Sequence, residues 1–155
     1  MLFRSRHILD HAGLVAGRRA VDLGCGSGLV GIAAALSGAA SACAVDVDPL
    51  ALAATRVNAA LNGVAVETAC ADLLDGPVPN GDLILVGDLF YEAGLTVRVL
   101  AFLERCAGAG LEVLIGDPGR ATLPVSRLQP IDRRATRDFG VGSAAVTGTV
   151  FRLRA

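Results

Sequence analysis

The stretch from residue 20 to residue 28 constrains the fold of this chain more than any other. It begins as a short apolar run interrupted by one acid, Asp22, and it ends with glycines at every second position from Gly24 to Gly28. Residues 29–37 are rich in alanine and contain no proline, which predicts a helix directly after the glycines. Because glycine has no Cβ, the backbone can turn sharply there and a ligand can lie against it. The unpaired N–H groups and the positive dipole end of the following helix point at the turn, which favours an anionic or polar ligand group.

The glycine spacing alone fits two kinds of cofactor site. Gly26, Gly28 and Gly31 match the G-x-G-x-x-G pattern of dinucleotide-binding turns, with Asp46 at the end of the next strand as the acid that holds a ribose. Asp22 distinguishes the two, because an acid two residues before the turn repels a pyrophosphate and attracts a ligand that carries an ammonium and a sulfonium. A glycine-rich turn without a ligand is the third alternative. The agreement of Asp22, the glycines and Asp46 on one ligand argues against it.

The alternation of the remaining segments predicts an α/β fold. Five apolar strands separated by helices require a mostly parallel sheet that is covered on both faces. We expect strands at residues 19–23, 41–45, 64–69, 82–86 and 112–115, and helices at residues 2–14, 29–36, 49–61 and 94–106.

After residue 120 the pattern changes to two strands. Residues 128–137 and 144–153 predict an antiparallel hairpin at the sheet edge, joined by residues 140–143. A length of 155 residues favours one domain with a sizeable core. We divide it into an N-terminal helix (1–17), cofactor-binding βα units (18–119) and a C-terminal hairpin (120–155).

Composition excludes several classes of protein. Hydrophobic residues make up 53% of the chain, yet charged residues interrupt every apolar segment before it could span a bilayer, so no membrane partner is expected. The first residues lack the continuous apolar core of a signal peptide. The four cysteines form no C-x-x-C pair, which favours reduced thiols in a cytoplasmic protein over disulfides or a metal site.

The charges also limit the partners. The formal net charge is −1, which gives no electrostatic argument for nucleic-acid binding. From Arg120 onward the chain is basic, which fits a solvated strand face or a docking surface for an acidic partner. His7 and His11 have the i, i+4 spacing of metal ligands, but no third ligand lies nearby, so we expect a solvated helix face and no metal.

Polar residues follow four of the predicted strands, at the edge where a parallel sheet binds its ligands. The candidate cofactor residues at these four strand ends are Gly24, Cys25, Gly26 and Gly28, then Asp46 and Val47, then Asp72 and Leu73, and finally Asp88. Because the ends of neighbouring strands meet at one edge, we expect these residues to form a single pocket. Asp48 precedes Pro49 and is expected to cap the following helix instead.

The run Val-Asp-Leu-Gly-Cys-Gly-Ser-Gly at residues 21–28 resembles the first motif of class I S-adenosylmethionine-dependent methyltransferases, and the five-plus-two order of strands is similar to theirs. The resemblance implies a Rossmann-like fold, S-adenosyl-L-methionine as cofactor, S-adenosyl-L-homocysteine as product, and no metal. Asp46 would then accept from both ribose hydroxyls, Asp72 would accept from the adenine amino group, and the backbone near Leu73 would contact a ring nitrogen. Asp22 and the glycine turn would face the methionine moiety. Capping of a following turn is the alternative for Asp72.

Two further segments resemble the electron-transfer flavoprotein β-subunit lysine methyltransferase family. They are Gly-Asp-Leu-Phe-Tyr-Glu at residues 87–92 and Gly-Asp-Pro-Gly-Arg-Ala-Thr-Leu-Pro at residues 116–124. This resemblance implies transfer of methyl groups to lysine ε-amines of a protein partner such as the flavoprotein β-subunit. It places Asp88 at the acceptor as a catalytic residue, with Tyr91 and Glu92 beside it.

The aromatic residues next to Asp88 have two interpretations. Phe90 and Tyr91 could wall the acceptor channel and exclude water, in which case positioning supplies much of the acceleration and Tyr91 is a second catalytic candidate. For Phe90, packing in the hydrophobic core is the alternative.

The resemblance also includes a departure. The family has a longer N-terminal region with a Trp-Pro segment that covers the cofactor, whereas this chain has no Trp and starts almost at its first helix. Either the start of the sequence is misplaced or the lid region is absent, and in the second case we expect cofactor retention to be weaker. Three alternatives stay open: a methyltransferase with another protein or a small-molecule acceptor, a cofactor-binding protein with little activity, and, with no Lys or Tyr-x-x-x-Lys motif to support it, an NAD-binding oxidoreductase.

Overall fold

The computed structural model describes residues 2–137 and 145–154. They form one seven-stranded sheet with the strand order β3-β2-β1-β4-β5-β7-β6. The strands are β1 (Arg19–Leu23), β2 (Ser41–Asp46), β3 (Glu67–Cys70), β4 (Leu83–Gly87), β5 (Glu112–Asp117), β6 (Leu128–Arg137) and β7 (Ala145–Leu153). The helices are α1 (Leu2–Asp10), α2 (Leu29–Leu36), α3 (Pro49–Leu61) and α4 (Ala93–Gly108).

Strands β1 to β5 pair in parallel, and β7 runs antiparallel to both β5 and β6. All five residues of β4 are buried, as expected for a strand covered on both faces. This arrangement confirms the predicted α/β class and the C-terminal antiparallel strands. The connection at residues 140–143 lies outside the described residues.

The two faces of the sheet carry separate hydrophobic clusters. On one face α4 contributes Val99, Phe102 and Leu103 to the larger cluster, together with Ile84 and Ile115 of the sheet. On the other face, apolar residues of α1, α2 and the segment between them pack against the sheet. Side chains alternate along each strand, so adjacent residues of β4 and β5 reach opposite clusters.

Helix starts and ends follow their local sequence. Asp48 accepts a hydrogen bond from the Leu50 N–H (2.8 Å), and Pro49 occupies the first helical position, so the predicted cap of α3 is confirmed. Gly63, with φ +66°, follows the end of the same helix. Glu92 caps α4 by accepting from the Gly94 N–H (2.9 Å).

Two predicted elements are shorter in the structure. The helix expected over residues 2–14 ends at Asp10, and residues 12–14 form a separate turn of 3₁₀ helix. The strand expected over residues 64–69 begins only at Glu67, because it pairs with the last four residues of β2 alone. Before that point the Val64 N–H bonds to the Ala59 carbonyl at the end of α3. Over the described part of the chain, no helix combines the length and apolarity that crossing a membrane requires.

Candidate active site

A cleft of about 430 Å³ opens at the carboxyl ends of β1 to β4. Its walls include most of the strand-end residues expected from the sequence: Gly24, Asp46, Val47, Asp72, Leu73, Asp88 and Tyr91. The volume falls within the range of about 300–1,000 Å³ that small-molecule sites occupy. Four separate strand ends therefore meet at one site, as their order in the sequence predicts.

The glycine turn after β1 needs its glycines for two different reasons. Gly24, Gly26 and Gly28 all have positive φ, between +54° and +78°, a conformation that side chains disfavour. At Gly28 space is limiting as well, since an ideal Cβ would lie 2.6 Å from Cγ2 of Thr55. At Gly26 a Cβ would meet nothing within 4 Å, so that side of the turn is open.

Asp46 links β2 to the glycine turn. Its Oδ2 accepts a hydrogen bond from the Gly26 N–H (2.9 Å), and its Oδ1 accepts from the Asp48 N–H (3.0 Å). Each carboxylate oxygen has a second lone pair that these backbone bonds leave available. Asp46 is therefore fixed in orientation and can still accept from two hydroxyl groups.

Asp22 occupies a different position from the other acids. It is 2% exposed and does not line the cleft, and its Oδ2 accepts from the Gly31 N–H in the first turn of α2 (2.9 Å). Burial raises the pKa of Asp22 to about 6 despite the nearby Arg4. The side chain thus holds the start of α2 against β1, and a contact with the methionine moiety stays a prediction.

Asp72 is fixed by an arginine that the sequence analysis did not single out. Its Oδ1 accepts from the Leu74 N–H (3.0 Å), which is the turn-capping alternative, and its Oδ2 accepts from Arg98 (2.8 Å). The Arg98 guanidinium holds the pKa of Asp72 below its usual range, and Arg98 also bonds Asp75 (2.5 Å). The Asp72 side chain is 46% exposed, so it stays available to a ligand in the cleft.

Asp88 combines backbone strain with an ion pair. Its φ is +60°, the only positive value at a non-glycine residue in the described part of the chain. Its carboxylate pairs with Arg120, which follows β5. Positive φ is costly for most residues with a Cβ, and aspartate is one of the few such residues that adopt it. The Asp88 side chain is still 42% exposed.

The two aromatic residues beside Asp88 differ in their exposure to solvent. Tyr91 is 61% exposed and lines the cleft. Phe90 is fully buried in the core cluster under α4, so its interpretation as a channel wall is wrong and the core-packing alternative is correct.

The thiol of Cys25 turns away from the open side of the turn. Its Sγ lies 3.6 Å from Oγ1 of Thr55, and burial raises the pKa of the thiol to about 11. Cys25 therefore stays a neutral thiol, and its part in cofactor binding stays a prediction.

The prediction of a solvated face for both histidines is wrong for His7. His7 is 4% exposed, and its Nδ1 donates to Oδ2 of Asp132 on β6 (2.7 Å). The sequence does not show that β6 lies beside α1. Among residues 2–137 and 145–154, no group of three or more His, Cys, Asp or Glu side chains could hold a metal ion.

The residues of the cleft fit the adenosyl part of the expected cofactor. Asp46 presents free carboxylate lone pairs beside an open glycine turn, and Asp72 presents a second carboxylate one strand further along the same edge. Hydroxyl and amino groups donate to such acceptors. Arg98 and Arg120 pair with Asp72 and Asp88. Arg120 lies in the segment 116–124 that the sequence analysis quoted, but its pairing with Asp88 was not expected, and Arg98 has no local pattern that could have identified it.

The strand order, the glycine turn and the strand-end acids define a class I methyltransferase fold. The model of the ribosomal protein L11 methyltransferase (PrmA) family matches residues 7–86, and the chain belongs to this family. The chain is also 44% identical over 154 residues to the electron transfer flavoprotein beta subunit lysine methyltransferase of Danio rerio. This alignment covers 92% of this chain and 60% of that protein. For the Homo sapiens protein of the same name the identity is 37% over 118 residues, and the alignment covers 75% of this chain and 45% of that protein. The chain thus spans about half the length of these curated relatives, and the resemblance inferred from the sequence is confirmed.

Solved structures support the fold. A ribosomal protein L11 methylase from Lactobacillus delbrueckii subsp. bulgaricus superposes with a TM-score of 0.69 at 22% identity, covering 97% of this chain and 77% of that chain. TrmN from Thermus thermophilus gives a TM-score of 0.71 at 24% identity, covering 97% of this chain and 47% of that chain. These likenesses concern the fold alone.

Proposed function

We propose that residues 1–155 form one methyltransferase domain that transfers methyl groups from S-adenosyl-L-methionine to lysine side chains of a protein, the electron-transfer flavoprotein β-subunit or a similar acceptor. The observation that carries the proposal is the 44% identity to the Danio rerio relative across 92% of this chain. That likeness extends beyond the first motif, whose glycines and acid are common to many methyltransferases. The cleft at the strand ends supports the same conclusion.

The cofactor would lie along the carboxyl edge of the sheet. Asp46 would accept from the ribose hydroxyls, and Asp72 together with the backbone near Leu73 would contact the adenine. When bound, S-adenosyl-L-methionine supplies an electrophilic methyl group on a positively charged sulfonium. The carboxylates that line the cleft favour such a cation over a dinucleotide pyrophosphate.

Asp88 and Tyr91 would act on the acceptor side. A lysine ammonium must lose a proton before its nitrogen lone pair can attack, and a nearby carboxylate can orient the amine and accept that proton. Arg120 fixes Asp88 in one orientation while leaving part of its side chain exposed. Tyr91, exposed at the cleft, would cover the reacting groups and limit the access of water.

The free cysteines support a reducing environment for the chain as part of this proposal. All four are free in the structure, and burial raises the pKa of both Cys25 and Cys106 to about 11. Neutral thiols suit the reducing, cytoplasmic environment that we expect for this chain.

A methyl-transfer assay tests the proposal. The full chain would be incubated with tritium-labelled S-adenosyl-L-methionine and purified electron-transfer flavoprotein β-subunit, or with ribosomal protein L11 as the competing acceptor. We expect label on lysines of the flavoprotein subunit, lost when its lysines are first blocked by reductive methylation. Label only on L11 or on small molecules would contradict the proposed acceptor, and label nowhere would contradict the activity.

A further inference from the structure

The acceptor segment, residues 88–91 after β4, carries the side chains proposed to act on the acceptor. Asp88 and Tyr91 both line the cleft, and the segment belongs to no strand or helix. Within the described residues, no backbone–backbone hydrogen bond holds the acceptor segment. Side chains on such a segment are placed less precisely than those on a strand or helix, so their orientation has to come from other contacts.

Those contacts come from the supporting segment, residues 118–123, which follows β5. The Arg120 guanidinium pairs with the Asp88 carboxylate, and the Thr122 hydroxyl donates a hydrogen bond to the Phe90 carbonyl. Neither Arg120 nor Thr122 lines the cleft. The supporting segment therefore holds the acceptor segment at two points from the side away from the cleft.

The bond from Thr122 bears directly on Tyr91. The Phe90 carbonyl belongs to the planar peptide group that joins Phe90 to Tyr91, so its orientation fixes the direction in which the chain reaches Tyr91. The Phe90 ring is fully buried and anchors the same residue in the core. Thr122 thus sets the rotation of a peptide group whose position the core already determines.

The supporting segment is itself fixed to the core. Asp117, fully buried at the end of β5, accepts hydrogen bonds through Oδ1 from the N–H groups of Gly119 and Arg120 (2.7 Å each). The Leu123 N–H bonds to the Arg120 carbonyl (3.1 Å), and the Leu123 side chain packs in the larger hydrophobic cluster. A segment held in this way can transmit a fixed geometry to its neighbour.

We propose that Thr122 is a positioning residue for methyl transfer, whose hydroxyl holds the acceptor segment in the conformation that presents Tyr91 and Asp88 to the acceptor. This inference rests on the proposed function, which assigns these two residues to the acceptor. Thr122 acts through the Phe90 carbonyl and touches neither substrate nor cofactor. The two segments that carry the resemblance to the lysine methyltransferase family are thereby parts of one structural unit.

The chain offers a reporter for the acceptor segment, because Tyr91 is its only tyrosine and it contains no tryptophan. The time-resolved anisotropy of tyrosine emission therefore measures the nanosecond motion of Tyr91 alone. Thr122→Val keeps the shape of the side chain and removes the hydroxyl, so the fast component of the decay should grow in amplitude. Thr122→Ser keeps the hydroxyl and should restore the wild-type decay.

Thr68→Val is the matched control. The Thr68 hydroxyl accepts a hydrogen bond from Nε of Arg56 (2.9 Å) on β3, at the far edge of the sheet. This variant makes the same chemical change and also breaks one hydrogen bond, but it does so away from the acceptor segment. The Tyr91 decay should therefore equal that of the wild-type chain.

Methyl transfer to the flavoprotein β-subunit gives the second readout. Because misplacing a reacting group by about 1 Å can cost up to about a hundredfold in rate, Thr122→Val should lower kcat by roughly tenfold or more. The KM for S-adenosyl-L-methionine should change by less than about twofold, since the cofactor residues are untouched. Thr122→Ser should recover most of kcat, and Thr68→Val should match the wild-type chain.

The outcomes separate this inference from the proposed function. Thr122→Ala repeats both measurements if Thr122→Val fails to fold. An unchanged Tyr91 decay in the folded variant, or a faster decay without a loss of kcat, would overturn the inference, as would equal changes in Thr68→Val. No methyl transfer by the wild-type chain would contradict the proposed function, and the anisotropy would still decide whether Thr122 holds Tyr91 in place.

Discussion

Replacing Asp22 by asparagine should remove a pH dependence of stability that this buried acid imposes. Asp22 is 2% exposed and accepts the Gly31 N–H through one oxygen, a bond that the side-chain oxygen of asparagine can also make. Burial raises the pKa of Asp22 from 3.8 to about 6 in the folded chain. Between these two pH values the folded state binds more protons than the unfolded state, so the free energy of unfolding falls as pH rises.

The size of the expected change in stability follows from the pKa shift of Asp22. A rise of about two pKa units corresponds to about 3 kcal/mol, lost progressively between about pH 4 and about pH 7. An asparagine side chain does not titrate, so the Asp22→Asn variant should gain about 3 kcal/mol relative to the wild-type chain across that window. Other groups titrate in both proteins and cancel in the difference.

Urea denaturation of both proteins at a series of pH values measures that difference. Asp82→Asn is the matched control, because hydrogen bonding by Arg19 lowers the pKa of Asp82. The stability that Asp82 contributes is present above its ordinary pKa and lost below it, so the difference should be flat above about pH 5. A pH-independent difference for Asp22→Asn, or one that decreases with rising pH, would refute the reasoning.

Three further substitutions separate the parts of the site. Gly28→Ala combines a φ of +78° with a Cβ 2.6 Å from Thr55, so it should lower the free energy of unfolding in urea by about 2 kcal/mol or more. Gly38→Ala, with a φ of +85° and open space around the new Cβ, should lower it by only about 1 kcal/mol. Equal losses for the two variants would mean that the contact with Thr55 is relieved without cost. Asp46→Ala should weaken calorimetric binding of S-adenosyl-L-homocysteine by about tenfold or more, since it removes charged acceptors, and unchanged affinity would exclude Asp46 from the ribose site. Asp88→Asn should leave that affinity nearly unchanged and reduce methyl transfer by about a hundredfold or more, and parallel losses in both assays would contradict its placement at the acceptor.

Most of the fold could be predicted because local signals mark its elements. Pro49 and Asp48 fix the start of α3, and the glycines fix the turn after β1. The start of β3 could not be found this way, since residues 64–66 are apolar enough for a strand and only the pairing with β2 determines where the strand begins. Local sequence sets propensity, and pairing between distant strands sets the final boundary.

The residues of the site also differ in whether the sequence alone could identify them. Asp46 and Asp72 could be identified because they stand at strand ends, where parallel sheets bind ligands. Arg98 reaches the site from α4 and Arg120 from the segment after β5, and their pairing with Asp72 and Asp88 depends on contacts between elements distant in the sequence. Each arginine fixes the orientation of the acid with which it pairs.

The most direct test of the central claim is calorimetric titration of the wild-type chain with S-adenosyl-L-homocysteine and, separately, with NAD. The account predicts saturable binding of one S-adenosyl-L-homocysteine per chain and no binding of NAD. Binding of NAD in place of S-adenosyl-L-homocysteine, or binding of neither, would contradict it.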